Sequence, residues 1–448
     1  MLSLEEAQER AQALVAQARK AGADAADASY VCNASTGVSV RLGKLEDVEQ
    51  SEGEEMGLRV FVGHRSATIS ASDLSPASLA GLVDRAVAMA REAPEDPYAG
   101  LAPEDRLMKG PFPDFDLRDP TEISPEQLRE RALAVEDAAR AVPGVTNSQG
   151  GGAGYGLTQI ALVTSHGFVG SHGATSHSCW ASVLAGEGDH MQRDHASDNS
   201  RHLSDLEGAH EIGVRAGERA VARLNPRKVE SGGMPIIFDP RVGSGMLGHL
   251  LGAIAGPAIT RRSSFLLEKL GQQIFDSGIT ILDDPHRMRG LRSRPFDGEG
   301  LPTHVTEVIA KGVLSGWLLD SASARQLGLQ PTGHASRGTS GAPGIAASNV
   351  HMVAGTQSPA ELMKDIKRGI YVNELIGMGV NMVTGDYSRG AGGFLIEDGE
   401  LTHPVAEITI AGSLLDMFAA MVPANDLEFR YAMNVPTLRI DGMTVAGG

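Results

Sequence analysis

A chain of 448 residues with 42% hydrophobic and 21% charged side chains is too long for one ordinary core, so two or three domains with a sizeable buried interior are expected. Its net charge of −17 opposes phosphate backbones and anionic lipid headgroups, which argues against direct nucleic-acid binding and against a membrane surface as partner. Only Cys32 and Cys179 are present, too few for a disulfide framework or a four-thiolate zinc site, and with no basic-then-apolar leader at the start the setting predicted is cytoplasmic.

In chain order, Ser3 and Glu6 form a capping box that opens a helix running to Lys20, with Gly22 as its stop. Strands are predicted at residues 29–33, 37–42, 57–62 and 65–71, where Val, Ser, Thr and aromatic residues are separated by glycine or acidic turns. Ser75-Pro76 starts a second helix with Leu79, Leu82, Val83, Ala86 and Val87 along one face. Residues 93–123 carry Pro94, Pro97, Pro103, Pro111, Pro113 and Pro120 and no periodicity, so they read as a surface connector. Another capping box at residues 124–127 begins a helix to Arg140. Strands at 157–164, 167–172 and 178–185 are expected to extend the first sheet, and a helix over 204–224 ends at Asn225-Pro226.

The second half opens with a buried strand at 234–238, then Asp239-Pro240 and a helix over 241–255. Two hairpins follow, one turning through Lys311-Gly312 and one through residues 397–399. With no long βαβ alternation the class is α+β: an N-terminal antiparallel sheet wrapped on helices over 1–225, and a C-terminal mixed, β-rich domain with packed helices over 226–448 that is expected to carry the cleft and any dimer contact. Residues 242–260 lack Asp, Glu, Lys and Arg but hold five glycines and Pro257, too dilute for a membrane span.

Within that stretch Gly248, Gly252 and Gly256 form a small-residue stripe suited to close backbone approach, and His249 is an isolated imidazole on an apolar helix. Residues Thr384, Gly385, Asp386, Ser388 and Arg389 combine backbone donors, a carboxylate, hydroxyls and a guanidinium on a glycine-rich turn, which suits either a peptide carboxylate or carbonyl, or a plain structural turn. Seven of the fourteen histidines fall between His166 and His210, without the spacing that converges imidazoles on a metal. No Gly-x-Ser-x-Gly elbow occurs, so a serine nucleophile is unsupported.

The terminal stretch NDLEFRYAMNVPTLRIDGMTVAGG (425–448), the segment GVNMVTGDYSRGAGGFLIEDGELTHPVAEITIAGSLLDMF (379–418), the hairpin IAKGVLSGWLLD (309–320), residues 296–300 and Gly57-Leu58-Arg59-Val60 together resemble the TldD/PmbA family, in its PmbA (TldE) branch. The resemblance implies a metallopeptidase family in which TldD-type members carry His-Glu-x-x-x-His on a helix in this region and a cysteine near the C-terminus as zinc ligands. Here that helix reads Gly248, His249, Leu250, Leu251, Gly252, Ala253, so both histidine positions and the glutamate are lost, and residues 429–433 replace the cysteine loop. The resemblance therefore implies a subunit with no catalytic residue, metal or cofactor of its own, pairing with a TldD-like chain that holds zinc, acting on peptides, and capable of homodimerising alone. Two alternatives stand beside it. One is an autonomous metal-dependent peptidase using His249 with His286, His304 or His334; the other is a regulatory protein acting on DNA gyrase through peptide or protein partners.

Overall fold

The computed structural model describes residues 1–447, the side chain of Asp189 excepted. Helix α1 (Leu4–Lys20) begins at the Ser3–Glu6 capping box and buries Ala7, Ala11, Leu14, Val15 and Ala18. It leads into β1 (Ala25–Arg41), β2 (Lys44–Val62) and β3 (Arg65–Ala71), followed by α2 (Pro76–Glu92) with N-cap Ser75. After the proline-rich connector come α3 (Pro125–Arg140), β4 (Val145–Thr164), β5 (Val169–Ala185), β6 (Gln192–Ser200) and α4 (Ala209–Ala222). The six strands form one antiparallel sheet in the order β3-β2-β1-β4-β5-β6, so the later strands do extend the first group.

Period-two alternation gives this sheet two distinct faces. Ala26, Ala28, Tyr30, Met56, Leu58, Val60, Ala161 and Val163 pack on α1 and α2, while Cys179, Ala181 and Val183 pack with the α3–α4 layer. The opposite face, which carries Asp27, Ser29, Arg59 and His172, turns toward the second half of the chain. Strands β1 and β2 are much longer than the sequence pattern indicated. Residues 44–53 of β2 are exposed on both faces and strongly acidic, so they lack the alternation by which a half-buried strand is recognised.

The second half contains β7 (Gly232–Phe238), α5 (Pro240–Ala253), α6 (Gly256–Thr260), β8 (Ile281–Asp283), β9 (Thr306–Ala310), β10 (Val313–Leu314), α7 (Ser321–Leu327), β11 (Ala335–Ser336), β12 (Gly344–Ile345), β13 (Val350–Met352), α8 (Pro359–Met363), β14 (Arg368–Ile376), β15 (Asp386–Glu397), β16 (Glu400–Ser413), α9 (Leu414–Ala419), β17 (Met421–Pro423), β18 (Met433–Asn434) and β19 (Leu438–Ala446). Strands β16-β15-β14-β7-β19 are consecutive neighbours, and β16 also pairs with β19, closing a five-stranded ring to which β17 is attached. A smaller sheet runs β10-β9-β8-β13-β18. The fold is α+β, with an antiparallel N-terminal sheet and mixed C-terminal sheets.

Both expected hairpins are present with two-residue turns at Lys311-Gly312 and Asp398-Gly399, where positive φ at each residue gives the twist that antiparallel strands need. The charge-free run around residue 250 is not one helix. Ala255 is extended (φ −67°, ψ 134°), so α5 stops at Ala253 and Gly256 opens α6 against Ser323 and Leu319. The three-glycine stripe is therefore broken after Gly252. Among the described residues no helix is long and apolar enough to cross a membrane.

Candidate functional site

Strand β7 is fully buried at Ile236, Ile237 and Phe238, and delivers the chain to Asp239, whose carboxylate caps α5 by accepting from the Arg241 amide at 2.9 Å. Tyr371 of β14 donates its hydroxyl to the same carboxylate at 2.8 Å, which fixes the start of the helix against the ring of strands. Met246, Leu247, Leu250 and Ala253 face the core. The other side of α5 is left smooth: a side chain placed at Gly245 or Gly248 would meet nothing within 4 Å, and at Gly252 it would meet only the Met382 methyl at 3.5 Å. The result is an open, glycine-floored face beside the loop that joins β14 to β15.

His249 is half-buried next to this face, with its ring edge-on to Tyr387 of β15 at 6.0 Å between centroids. Burial and then the charge of Arg389 push the His249 imidazole below its ordinary pKa. Tyr387 is buried and raised to about 12 by desolvation, with Arg389 opposing. Among the described residues neither the Tyr387 hydroxyl nor the Arg389 Nε has a hydrogen-bond partner, although both atoms are buried. Unspent buried polar atoms are uncommon in folded chains. Strand alternation explains the grouping, since residues 387 and 389 share the face toward α5, whereas Asp386 and Ser388 are exposed on the other.

Of the residues singled out from the sequence, His249 and Arg389 are thus brought together. Thr384, Gly385, Asp386 and Ser388 are arranged differently. The Asn381 side chain and carbonyl accept from the amides of Val383, Thr384 and Gly385, Thr384 Oγ1 accepts from the Asp386 amide and donates to its carboxylate, and the Ser388 amide donates to the Gly379 carbonyl. Those backbone donors are consumed in shaping the turn, in which Gly385 takes φ +82° with the Phe265 ring alongside. Tyr387 completes the group at α5 and was not among the residues chosen from the sequence; its signal was its alternation with Arg389.

A metallopeptidase zinc needs three protein donors with an open fourth position. At α5, Gly248 and Ala253 offer no donor and His249 faces Tyr387 and Arg389. Cys32 and Cys179 are buried in the N-terminal sheet, in β1 and β5. His334 contacts Asp283 at 3.3 Å and approaches His304, and His286 contacts Thr303 at 3.1 Å, while His249 lies in neither group. Among the described residues no three His, Cys, Asp or Glu side chains gather so as to hold a metal ion. These residues do not fit a zinc centre.

The segment 429–433 lies at the other end of α5. Arg430 bonds Glu207 of the N-terminal half at 3.1 Å, Arg287 lies over the Phe429 ring at 3.5 Å, and Asn434 accepts from the amides of Arg430 and Tyr431. Tyr431 lines a cleft of about 440 Å³ together with Arg219, Arg223, Arg241, Asp194 and Glu374. Asp194 is buried, yet the hydrogen bonds from Arg241 at 2.8 and 2.9 Å hold its carboxyl below the ordinary value against the desolvation that would raise it.

Comparison with known proteins agrees with this architecture over nearly the whole chain. Residues 26–90, 118–224 and 231–447 match, in turn, domain 1, the central domain and the C-terminal domain of the PmbA/TldA metallopeptidases. The chain is 40% identical to metalloprotease PmbA of Escherichia coli O157:H7 over 426 residues, 94% of this chain and 92% of that protein. It is 35% identical to a metalloprotease PmbA homolog of Haemophilus influenzae, covering 96% of this chain and 94% of the relative. The crystal structure of a proposed modulator of DNA gyrase from Bacteroides thetaiotaomicron superposes with a TM-score of 0.91 at 29% identity over the full length of both chains. TldE of Thermococcus kodakarensis shares the fold, with a TM-score of 0.87 at 23% identity over 98% of this chain and 100% of that one. The chain belongs to the PmbA/TldD family of metallopeptidases.

Proposed function

We propose that this chain is the metal-free subunit of a two-chain peptidase, in which a TldD-like partner supplies zinc and the activated water while this chain shapes the cleft that receives the peptide. The observation that carries the reading is α5: Gly248 and Ala253 stand at the two histidine positions of the motif that the resemblance places in TldD-type members, an open glycine floor runs through Gly245, Gly248 and Gly252, and the single imidazole on the helix, His249, is turned to Tyr387 and Arg389. Arg389 supplies the polar anchor for a peptide carboxylate or carbonyl, and the glycine floor admits an extended backbone at close range. Thr384, Gly385, Asp386 and Ser388 then serve as the rigid turn that positions Tyr387 and Arg389. Ile376 at the end of β14 and Met378 and Val383 on the loop that follows, exposed by 58, 90 and 58%, form the apolar surface on which the partner docks.

Met378→Asp is expected to abolish co-purification with a co-expressed TldD-like chain while moving the stability of the isolated chain by less than about 0.5 kcal/mol. In the assembled enzyme Arg389→Ala should raise the peptide KM by about tenfold or more with kcat little changed, the loss expected of a charge-assisted hydrogen bond to bound substrate. Pairing that survives Met378→Asp, or an Arg389→Ala enzyme with unaltered KM, would count against the assignment.

A further inference from the structure

Between the two halves of the chain, well away from α5, lies a cavity of about 380 Å³. One wall is the open face of the N-terminal sheet, with Ile160 and Leu162 of β4 and His172 of β5, and the other is formed by residues 292–298 and 335–347. Four guanidiniums line it, from Arg201, Arg292, Arg294 and Arg337, against one carboxylate, Asp297. In a chain of net charge −17 this is a local reversal of sign.

The bonding of these groups is incomplete. Arg337 is matched by Asp27 at 3.0 Å, and Asp297 spends its oxygens on the amides of Glu299, Leu301 and Ala335. Among the described residues Arg201 reaches only the carbonyls of Thr175, Gly290 and Leu291, and Arg294 only that of Ala346. Among the described residues neither of them, nor the exposed Arg292, has a carboxylate oxygen within 4 Å. Arg294 Nε, Arg337 Nε and His172 Nδ1 are buried atoms with no hydrogen-bond partner among the described residues. Burial depresses the pKa of Arg201 and, despite Asp297 and Asp283, of Arg294, as expected of cations short of counter-charge. A desolvated cation short of an anion costs several kcal/mol, so a fold that keeps Arg201 and Arg294 around one hollow, with the exposed Arg292 beside them, is shaped for an anion that enters it. Phe296, Ile160 and Leu162 supply an apolar side.

We infer that this inter-lobe cavity is a binding site for a small molecule that presents an oxyanion, a carboxylate or a phosphate, to the Arg201–Arg292–Arg294 side and an apolar portion to Phe296. The volume is that of an ordinary small-ligand pocket. None of the lining residues belongs to α5 or to the loop beside it, and an occupant would join the N-terminal sheet to the C-terminal half.

Calorimetric titration of the full chain with inorganic phosphate, and separately with benzoate, at constant ionic strength tests it. Saturable binding of at least one probe is expected; phosphate alone would assign a phosphate ester and benzoate alone a carboxylate with an apolar body. Arg294→Gln should weaken that binding by about tenfold or more while the unliganded variant unfolds at or above the wild-type temperature, because an uncompensated cation has been removed. A merely structural arginine would give the opposite change in unfolding temperature. Arg292→Gln, at an exposed position, should weaken binding without changing stability, which keeps the test open if the Arg294 variant folds poorly. The inference is overturned if neither probe binds saturably, or if the folded variants bind as the wild type does.

Discussion

Replacing Asp27 by alanine is expected to destabilise the folded chain by about 3–5 kcal/mol, because one buried carboxylate neutralises two buried guanidiniums. Asp27 is 2% exposed and accepts from Arg59 Nε at 2.8 Å and from Arg337 Nη2 at 3.0 Å. Arg59 is its cross-strand neighbour on β2, whereas Arg337 arrives from the second half of the chain. The same seam holds the Ser29 hydroxyl on the Gly338 carbonyl at 2.9 Å, and Gly57 directly against the Thr339 backbone, where no side chain would fit. Loss of Asp27 leaves two cations buried in each other's field at the junction of the lobes. Urea unfolding should show the loss, and combining Asp27→Leu with Arg59→Met and Arg337→Met should recover a large part of it, since apolar residues of similar volume replace a buried ionic triad at little cost. A single Asp27→Ala variant within about 1 kcal/mol of wild type would show that the seam is solvated and does not join the lobes as described.

The second large effect is in the pH dependence of stability, where two buried groups act with opposite sign. His172 is lowered from 6.5 to about 4 by burial and by the neighbouring Arg294 and Arg201. Below pH 6.5 the unfolded chain takes up a proton that the folded chain refuses, so this group removes stability as the pH falls toward 4. Glu299 is raised from 4.5 to about 7 by burial, with Arg59 opposing, Asp297 reinforcing, and the Ser321 amide and hydroxyl as its hydrogen-bond donors. Between pH 7 and 4.5 the folded state holds a proton that the unfolded state has released, so this group adds stability as the pH falls. Each effect amounts to about 2 kcal/mol between pH 7.5 and 5. Relative to wild type, His172→Asn should therefore gain stability on acidification over that interval, and Glu299→Gln should lose it. Parallel pH profiles for the wild type and both variants would mean that neither site is as dry as the structure makes it.

How much of this was legible in the sequence follows from the range of the interactions. The helix starts at Ser3, Ser75 and Ser124 were readable because an N-cap and its partner lie within three residues, and the tight hairpins at Lys311-Gly312 and Asp398-Gly399 because their turn residues are local. The length of β2 was not readable, since residues 44–53 are exposed on both faces and pair with the far end of β1, which is itself held by β4 on its other edge. The break of the charge-free run after Ala253 was missed because nothing in its composition distinguishes a single helix from two short ones; the extended Ala255 decides it. Around α5 the sequence located His249 and Arg389 separately, but their meeting depends on the register of β15 within the ring of strands. The inter-lobe cavity was wholly hidden. Its cations at 201, 292, 294 and 337 come from opposite lobes, and sequence spacing carries no information about such a juxtaposition.

The family places this chain among metallopeptidases, and α5 presents an open glycine face where, among the described residues, no donor set for a metal gathers. Metal analysis and peptide cleavage, measured on the purified chain alone and after co-expression with a TldD-like chain, test the division of labour most directly. Little zinc and no cleavage are expected from the chain alone, and cleavage with zinc in proportion to the partner once the two are assembled, unchanged by His249→Ala. Stoichiometric zinc on the isolated chain, with peptide cleavage that His249→Ala abolishes, would contradict it.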